Sequence, residues 1–150
     1  MLFAAPIRYN RSQNQFEVLV SENINSKSLI NVHIQRNEQT DIAFERLKQK
    51  LNQFIDVSDS EEVFKGYMYD IRQTDNAWIE AISYLFFTEI DDELEAADQE
   101  SDLKWKKLDP SLINNLSTSQ STILRECLLK IKQSQRPDDD MIDSILKKTG

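Results

Sequence analysis

The chain has 150 residues, of which 18 are basic and 26 acidic, giving a net charge of -8. This length suits one domain with a sizeable core, and the negative charge argues against binding to a nucleic-acid backbone. The sequence has no run of 18 apolar residues and no secretory signal, so we expect an intracellular protein without direct membrane insertion. Two arginines before the first acid, Glu17, give the opening residues a presequence-like composition, so mitochondrial and cytoplasmic locations both stay open.

The first third of the chain predicts two strands followed by a helix. Residues 15–20 and 29–34 alternate or run apolar with branched side chains, and the polar residues between them are typical of a turn. From Asp41 onward the apolar residues recur at intervals of three and four, which predicts an amphipathic helix with Thr40 or Asp41 as its N-cap. The apolar face of that helix consists of Ile42, Phe44, Leu47, Leu51, Phe54 and Ile55.

Three further strands are predicted in the middle of the chain. Residues 63–69 and 77–87 are apolar runs that flank a polar loop, and residues 103–108 alternate as a short strand. Between them, eight acidic residues fall within positions 89–102, and no Lys or Arg occurs there. A solvated acidic loop is the preferred interpretation of this run, and a divalent-ion site is the alternative.

The C-terminal third predicts helices. Asp109 and Pro110 are typical of a helix start, and residues 138–148, after Pro137, form a short helix with acids first and lysines last. The intervening helix has one apolar face, made of Ile123, Leu124, Cys127, Leu128 and Ile131. Strands mixed with amphipathic helices predict an α+β domain in which helices pack on a mixed sheet.

Two single residues limit the chemistry. Cys127 is the only cysteine and lies among apolar residues of a predicted helix, so we interpret it as part of the core. His33 is the only histidine, which excludes histidine-rich metal sites and obliges any catalytic Ser-His or Cys-His pair to use it. Its position beside Val32 and Ile34 predicts a half-buried strand residue.

The stretch VFKGYMYDIRQTDNAWIEA, residues 63–81, resembles a segment of the Nudix superfamily. The similarity is to its ADP-ribose pyrophosphatases and to the Nudix homology domain of ADP-ribose-gated melastatin-type cation channels. A second stretch, LEAADQESDLKWKKL, resembles the family's entry into a later strand. The matching residues are Lys65, Gly66, Tyr67, Asp70, Arg72, Thr74, Asp75, Asn76, Ala77, Trp78, Glu80, Leu94, Ala96, Asp98, Lys104 and Trp105.

The resemblance implies a Nudix-like fold, in which a mixed β-sheet is sandwiched between α-helices. We interpret residues 1–150 as a single degenerate Nudix-like domain, with a core over about 15–133 and a C-terminal helical tail over 137–150. The periodicity of the sequence, which by itself predicts strands mixed with amphipathic helices, agrees with this fold.

The resemblance also indicates where catalysis would occur. Nudix enzymes carry the pattern G-x5-E-x7-R-E-U-x-E-E-x-G-U, whose glutamates hold magnesium on one face of a helix. With the arginine of the pattern on Arg46, Glu38 lies at the correct separation, but the three clustered glutamate positions are Leu47, Lys50 and Leu51. Leucine and lysine do not coordinate a hard dication, so the resemblance implies no hydrolysis and no cofactor. Leu47 and Leu51 also belong to the apolar stripe, which predicts that they are core residues.

The resemblance implies ligand contacts as well. Their candidates are Arg72, Asp75, Asn76, Glu80, Asp98 and Ser119. Two family positions differ, because Ser117 replaces an aromatic residue and Gln120 replaces a histidine. The polar loop has a structural alternative, in which Asp75 and Asn76 fix a turn and Arg72 pairs with a neighbouring acid.

Three hypotheses follow for function. The first is a catalytically inactive Nudix-like domain that acts as a structural or interaction subunit, with protein partners in a larger complex. The second is a domain that binds ADP-ribose or a related nucleotide without hydrolysing it. The third is an active hydrolase that recruits metal through the acidic run at 89–102.

Overall fold

The computed structural model describes residues 1–23, 26–69, 78–90, 102–133 and 139–148. The strands are β1 (Leu2–Asn10), β2 (Gln15–Asn23), β3 (Ser26–Val32), β4 (Glu61–Tyr69), β5 (Trp78–Ile90) and β6 (Leu103–Lys107). The helices are α1 (Thr40–Leu51), α2 (Pro110–Asn115), α3 (Thr118–Gln133) and α4 (Asp139–Lys148). Within these ranges, no helix has the length and apolar character that crossing a membrane requires.

The strands form one mixed sheet in the order β4-β5-β1-β3-β2-β6, and β1 also pairs with β2. Strands β1 and β5 are parallel, with Leu2 opposite Ile82, and the other pairs are antiparallel. Strand β3 changes partner along its length, because Leu29 lies opposite Val20 of β2 whereas the next residue lies opposite Ala4 of β1.

Helices cover both faces of this sheet. Successive residues of β1 point to opposite faces, so Phe3 and Ile7 join a core cluster with residues of α2, α3 and α4. Leu2 and Ala4 join a second cluster with residues of α1. The predicted α+β fold, a mixed sheet sandwiched between helices, is therefore confirmed.

Strand β1 was not predicted, and the core begins at Leu2 rather than near residue 15. All nine of its residues are buried, because it has neighbours on both sides and helices on both faces. Such a strand does not show the alternation of apolar and polar residues that marks a half-exposed strand. Arg8, one of the two arginines in the presequence-like opening, is buried here, and its Nε donates to Glu17 Oε1 at 2.6 Å.

Several predicted boundaries differ from the structure. Strand β3 ends at Val32, so His33 is exposed beyond the strand and is not a half-buried strand residue. Strand β5 continues to Ile90 and so includes Glu89, the first acid of the acidic run. In α1, Ile42 was assigned to the apolar face but is 52% exposed. Residues 70–77 of the polar loop and 91–101 of the acidic run lie outside the described residues.

The predicted C-terminal helices are present. Asp109 caps α2 by accepting a bond from the backbone N–H of Leu112 at 2.8 Å. Cys127 is buried, and that burial raises the pKa of its thiol, as expected of a core residue rather than a nucleophile. Helix α4 is part of the core instead of a tail, because Ile142 and Ile145 are buried in the same cluster as α3.

Candidate functional site

The inner face of α1 is part of the hydrophobic core. Leu47 and Leu51 are 0% exposed and pack with Leu2, Leu19 and other residues of the sheet, which confirms their prediction as core residues. Lys50 lies at the edge of this face, and its Nζ donates to the backbone oxygen of Asn31 at 3.1 Å. These three positions, which the resemblance assigns to glutamates, therefore contribute apolar packing and one cation.

A buttressed ion pair joins the loop before α1 to the helix. Arg46 donates to Glu38 through Nε at 2.9 Å and through Nη2 at 2.5 Å, and Nη2 also donates to the backbone oxygen of His33 at 2.6 Å. Hydrogen bonds from Arg46, and then from the backbone N–H of Gln35, hold the pKa of Glu38 below its ordinary value. The guanidinium group of Arg46 therefore holds both His33 and Glu38 against α1.

A groove of about 300 Å³ lies beside the start of α1. Its lining includes His33, Thr40, Glu80 and Ile82. On the neighbouring strand, Tyr67 lies opposite Glu80 and Lys65 lies opposite Ile82, so their side chains extend the same face of the sheet. The lining residues are Met1, His33, Ile34, Thr40, Glu80 and Ile82.

Charge and aromatic surface are both available at this groove. Tyr67 is 70% exposed, and Lys65 and Glu80 are exposed beside it. The Met1 ammonium donates to the backbone oxygen of Glu80 at 2.8 Å, and burial lowers the pKa of this ammonium while the Glu80 carboxylate opposes the change. An aromatic ring and a cation of β4 therefore lie on the same sheet face as Glu80, which lines the groove.

The two positions where the sequence departs from the ligand-binding pattern have structural roles. Gln120 is buried, and its Oε1 accepts a bond at 2.8 Å from the backbone N–H of Leu29, where β3 changes partner. Ser117 is the N-cap of α3, because its Oγ accepts from the N–H of Gln120 at 3.3 Å and its carbonyl accepts from that of Ser121 at 2.9 Å. Sequence reasoning missed both roles, although a serine three residues before the glutamine is an N-cap signal.

The structure places two of the six predicted ligand contacts. Glu80 lines the groove on the α1 face, whereas Ser119 is in the first turn of α3, which packs on the opposite face. These two residues are therefore not brought together, and their binding role stays a prediction. Arg72, Asp75, Asn76 and Asp98 lie outside the described residues.

The described residues also bear on metal binding. Within them, no three or more His, Cys, Asp or Glu side chains come together as a metal site would require. Glu89 accepts a hydrogen bond from Arg11 and forms an ion pair with it. Glu89, Asp91, Asp92, Glu93, Glu95, Asp98, Glu100 and Asp102 are the acids of the predicted run, and of these the structure describes Glu89 and Asp102.

Comparisons with known proteins give matches among solved structures. No protein-family model and no curated protein matches the sequence. A MutT/nudix family protein from Enterococcus faecalis matches over 99% of this chain and 67% of its own, with a TM-score of 0.62 and 18% identity.

The chain has the Nudix fold.

Two other Nudix-fold neighbours come from Shewanella oneidensis NrtR. The whole protein matches over 89% of this chain, with a TM-score of 0.64 and 17% identity. The match covers 63% of the length of NrtR. The NUDIX domain of NrtR complexed with ADP ribose matches with a TM-score of 0.57 and 16% identity, over 87% of this chain and 86% of that domain. At these identities the likeness establishes the Nudix fold and leaves activity to be argued from this chain's own residues.

Proposed function

We propose that this protein is a catalytically inactive member of the Nudix superfamily that acts as an interaction or structural subunit of a larger protein assembly. The observation that carries the proposal is the complete burial of Leu47 and Leu51 in the core. Magnesium-dependent hydrolysis requires several carboxylate oxygens on one face of α1. A glutamate at either position would place an unpaired charge in an apolar cluster.

The acids that α1 and its preceding loop do possess support the same conclusion. Glu38 accepts two hydrogen bonds from Arg46, and Glu45 pairs with Lys48 at 2.7 Å. Asp41 lies one turn before Glu45 on α1, but no three acids come together in the described part of the chain, and Lys50 adds a cation to the helix. These residues do not fit a magnesium site.

The alternative function is binding of ADP-ribose or a related nucleotide without hydrolysis. It is favoured by the NrtR domain, which is complexed with ADP ribose, and by the groove beside Tyr67 and Lys65. An exposed ring suits stacking on a base, and an ammonium suits a phosphate. The structural use of Ser117 and Gln120 counts against it, since both occupy positions where the resemblance places ligand contacts.

The experiment is isothermal titration of the purified chain with ADP-ribose and magnesium, followed by analysis of the mixture for AMP and ribose phosphate. Our proposal expects neither heat nor products at millimolar ligand. Heat without products would replace it by the alternative, and products would support the third hypothesis, hydrolysis aided by the acidic run at 89–102.

A set of variants locates any heat that is observed. Tyr67→Ala should abolish it if the ligand occupies the groove, and Arg72→Ala should abolish it if the predicted ligand contact at Arg72 is correct. Leu129→Ala is the matched control, because Leu129 is also an exposed apolar residue but lies on α3, which packs on the opposite face of the sheet. Equal loss in all three variants would mean that the heat does not report this site.

The assembly role has its own test. In a native extract the protein should elute in a complex well above the 17.5 kDa of the chain, and the purified chain should elute at a smaller size under the same conditions. Elution of the native protein at the size of the purified chain would contradict the assembly role.

A further inference from the structure

Strand β6 forms one edge of the sheet. Its ladder with β2 is framed by two backbone bonds, from the N–H of Glu22 to Asp102 and from the N–H of Leu108 to Phe16. Backbone groups of successive residues in an antiparallel strand point alternately to either side. The N–H and C=O of Trp105 and Lys107 therefore point away from β2, and no described residue bonds to them.

The side chains of this edge are basic although the chain is acidic overall. Lys104 and Lys107 are exposed and make no ion pair with any described residue. Lys106 pairs with Glu22 at 3.0 Å, and Lys27, opposite Glu22 on β3, adds another cation. The lysines around Glu22 hold the pKa of its carboxyl below the ordinary value, first through the bond from Lys106. Strand β6 itself thus carries three lysines and no acid, and of the described acids around it, Asp102, Glu17 and Glu22, the last two pair with Arg8 and Lys106.

Screening by salt limits the charges that a segment bound at β6 senses to those close to the strand. The Debye length at physiological ionic strength is about 8 Å, so a segment docked against β6 interacts with these lysines, and with Asp102, Glu17 and Glu22 beside them, far more than with distant acids. The net charge of -8 therefore does not prevent an acidic segment from binding at this edge.

The opposite edge of the sheet is less suited to such pairing. Strand β4 has a register irregularity between Glu62 and Phe64, and bulges of this kind interrupt the regular pairing that an added strand needs. Its first two residues, Glu61 and Glu62, are acidic. The ladder register of β6 with β2 is continuous from Leu103 to Lys107.

We propose that the edge of β6 binds an extended acidic peptide segment of the partner as an additional strand, an inference that rests on the proposed interaction role. The outward backbone groups of Trp105 and Lys107 supply main-chain hydrogen bonds, and Lys104 and Lys107 select acidic side chains. The Trp105 side chain is partly buried, and its ring lies 4.1 Å from the Arg8 guanidinium. This contact holds the Trp105 backbone in place at the edge.

The test titrates the ¹⁵N-labelled full chain with an acetylated, amidated peptide of repeated Glu-Glu-Thr, up to millimolar concentration, because Lys104 and Lys107 lie on opposite faces of the strand. The same peptide with Lys in place of Glu is the charge-reversed probe. We expect the acidic peptide alone to shift the backbone amides of β6 and to slow hydrogen exchange at Trp105 and Lys107. Unshifted β6 amides, or equal binding of both peptides, would overturn the proposal.

Two sets of variants separate charge from backbone pairing. Lys104→Glu/Lys107→Glu should weaken binding of the acidic peptide roughly tenfold. Lys147→Glu/Lys148→Glu, with the same charge change at the exposed end of α4, should leave it unchanged. Lys107→Pro removes an outward N–H without breaking the β2 ladder, so it should bind more weakly than Lys107→Ala. Equal binding by the Pro and Ala variants would contradict strand addition.

The rival role for these lysines is to keep the edge unpaired. In that case the acidic peptide leaves β6 unshifted and a Lys104→Thr/Lys107→Thr variant self-associates in sedimentation, which would overturn our proposal. Elution of the native protein from an extract judges the proposed interaction role independently, so failure of the peptide experiment leaves that result intact.

Discussion

Two sets of positions on and before α1 differ in what they now do. Glu38 and Arg46 remain paired and tie the preceding loop to the helix, whereas Leu47 and Leu51 are packed in the core. The first set supports the fold, and the second occupies the places that the resemblance assigns to metal ligands. The comparison teaches that α1 of this Nudix fold is held at two places, by an ion pair to the preceding loop and by apolar packing at positions that the resemblance assigns to glutamates.

The largest expected effect comes from restoring glutamate at positions 47, 50 and 51 together. Each buried leucine contributes about 2–5 kcal/mol on truncation, and an unpaired buried charge adds to that loss. We expect the triple variant to be largely unfolded in a urea titration followed by circular dichroism, and to have no activity on ADP-ribose. Lys50→Glu alone is the control and should stay folded. A soluble triple variant that cleaves ADP-ribose would break the comparison.

A second prediction concerns Gln120, which occupies a position that the resemblance assigns to ligand binding and which accepts a hydrogen bond from the backbone of Leu29. Gln120→Ala leaves the buried N–H of Leu29 without its partner, so the free energy of unfolding should fall by about 1–3 kcal/mol. Gln133→Ala, at the exposed end of the same helix, should change it much less. Equal losses measured by urea denaturation would show that the bond to Leu29 contributes nothing specific.

Ser117 gives a smaller effect of the same kind. Ser117→Ala removes the side-chain cap of α3 and should cost about 1 kcal/mol, whereas Ser117→Asp retains an acceptor and should be nearly neutral. The measurement is the thermal midpoint of the three proteins. An aspartate variant as unstable as the alanine variant would contradict the capping role.

The smallest expected effect is a dependence of stability on pH, and it tests the Glu38–Arg46 ion pair. The pKa of Glu38 is lowered in the folded protein, so the unfolded chain takes up the proton first as the pH falls. The stabilisation by Glu38 should be complete well above the ordinary value of 4.5 and should vanish below the lowered pKa. The thermal midpoints of the wild type and Glu38→Gln should therefore differ at pH 7 and converge in acid. Glu45→Gln, at an exposed i,i+3 pair, is the control.

Local periodicity was sufficient to predict α1, α3 and the burial of Leu47 and Leu51. It failed at β1, whose two covered faces remove alternation, and at His33, where the strand ends two residues earlier than the apolar pattern does. The N-cap role of Ser117 was readable, but the bond from Leu29 to Gln120 joins positions 91 residues apart and has no local signal. Similarly, the placement of Tyr67 and Lys65 beside Glu80 and Ile82 depends on pairing between β4 and β5.

The position of β1 at the centre of the sheet has a consequence for synthesis of the chain. Its antiparallel neighbours β2 and β3 follow at once, but its parallel neighbour β5 ends at Ile90. In a nascent chain, the edge of β1 that pairs with β5 in the folded protein therefore stays unpaired until β5 has been synthesised. Non-local pairing of this kind slows folding and exposes aggregation-prone edges. Truncated chains ending before residue 78 should accordingly aggregate or bind chaperones.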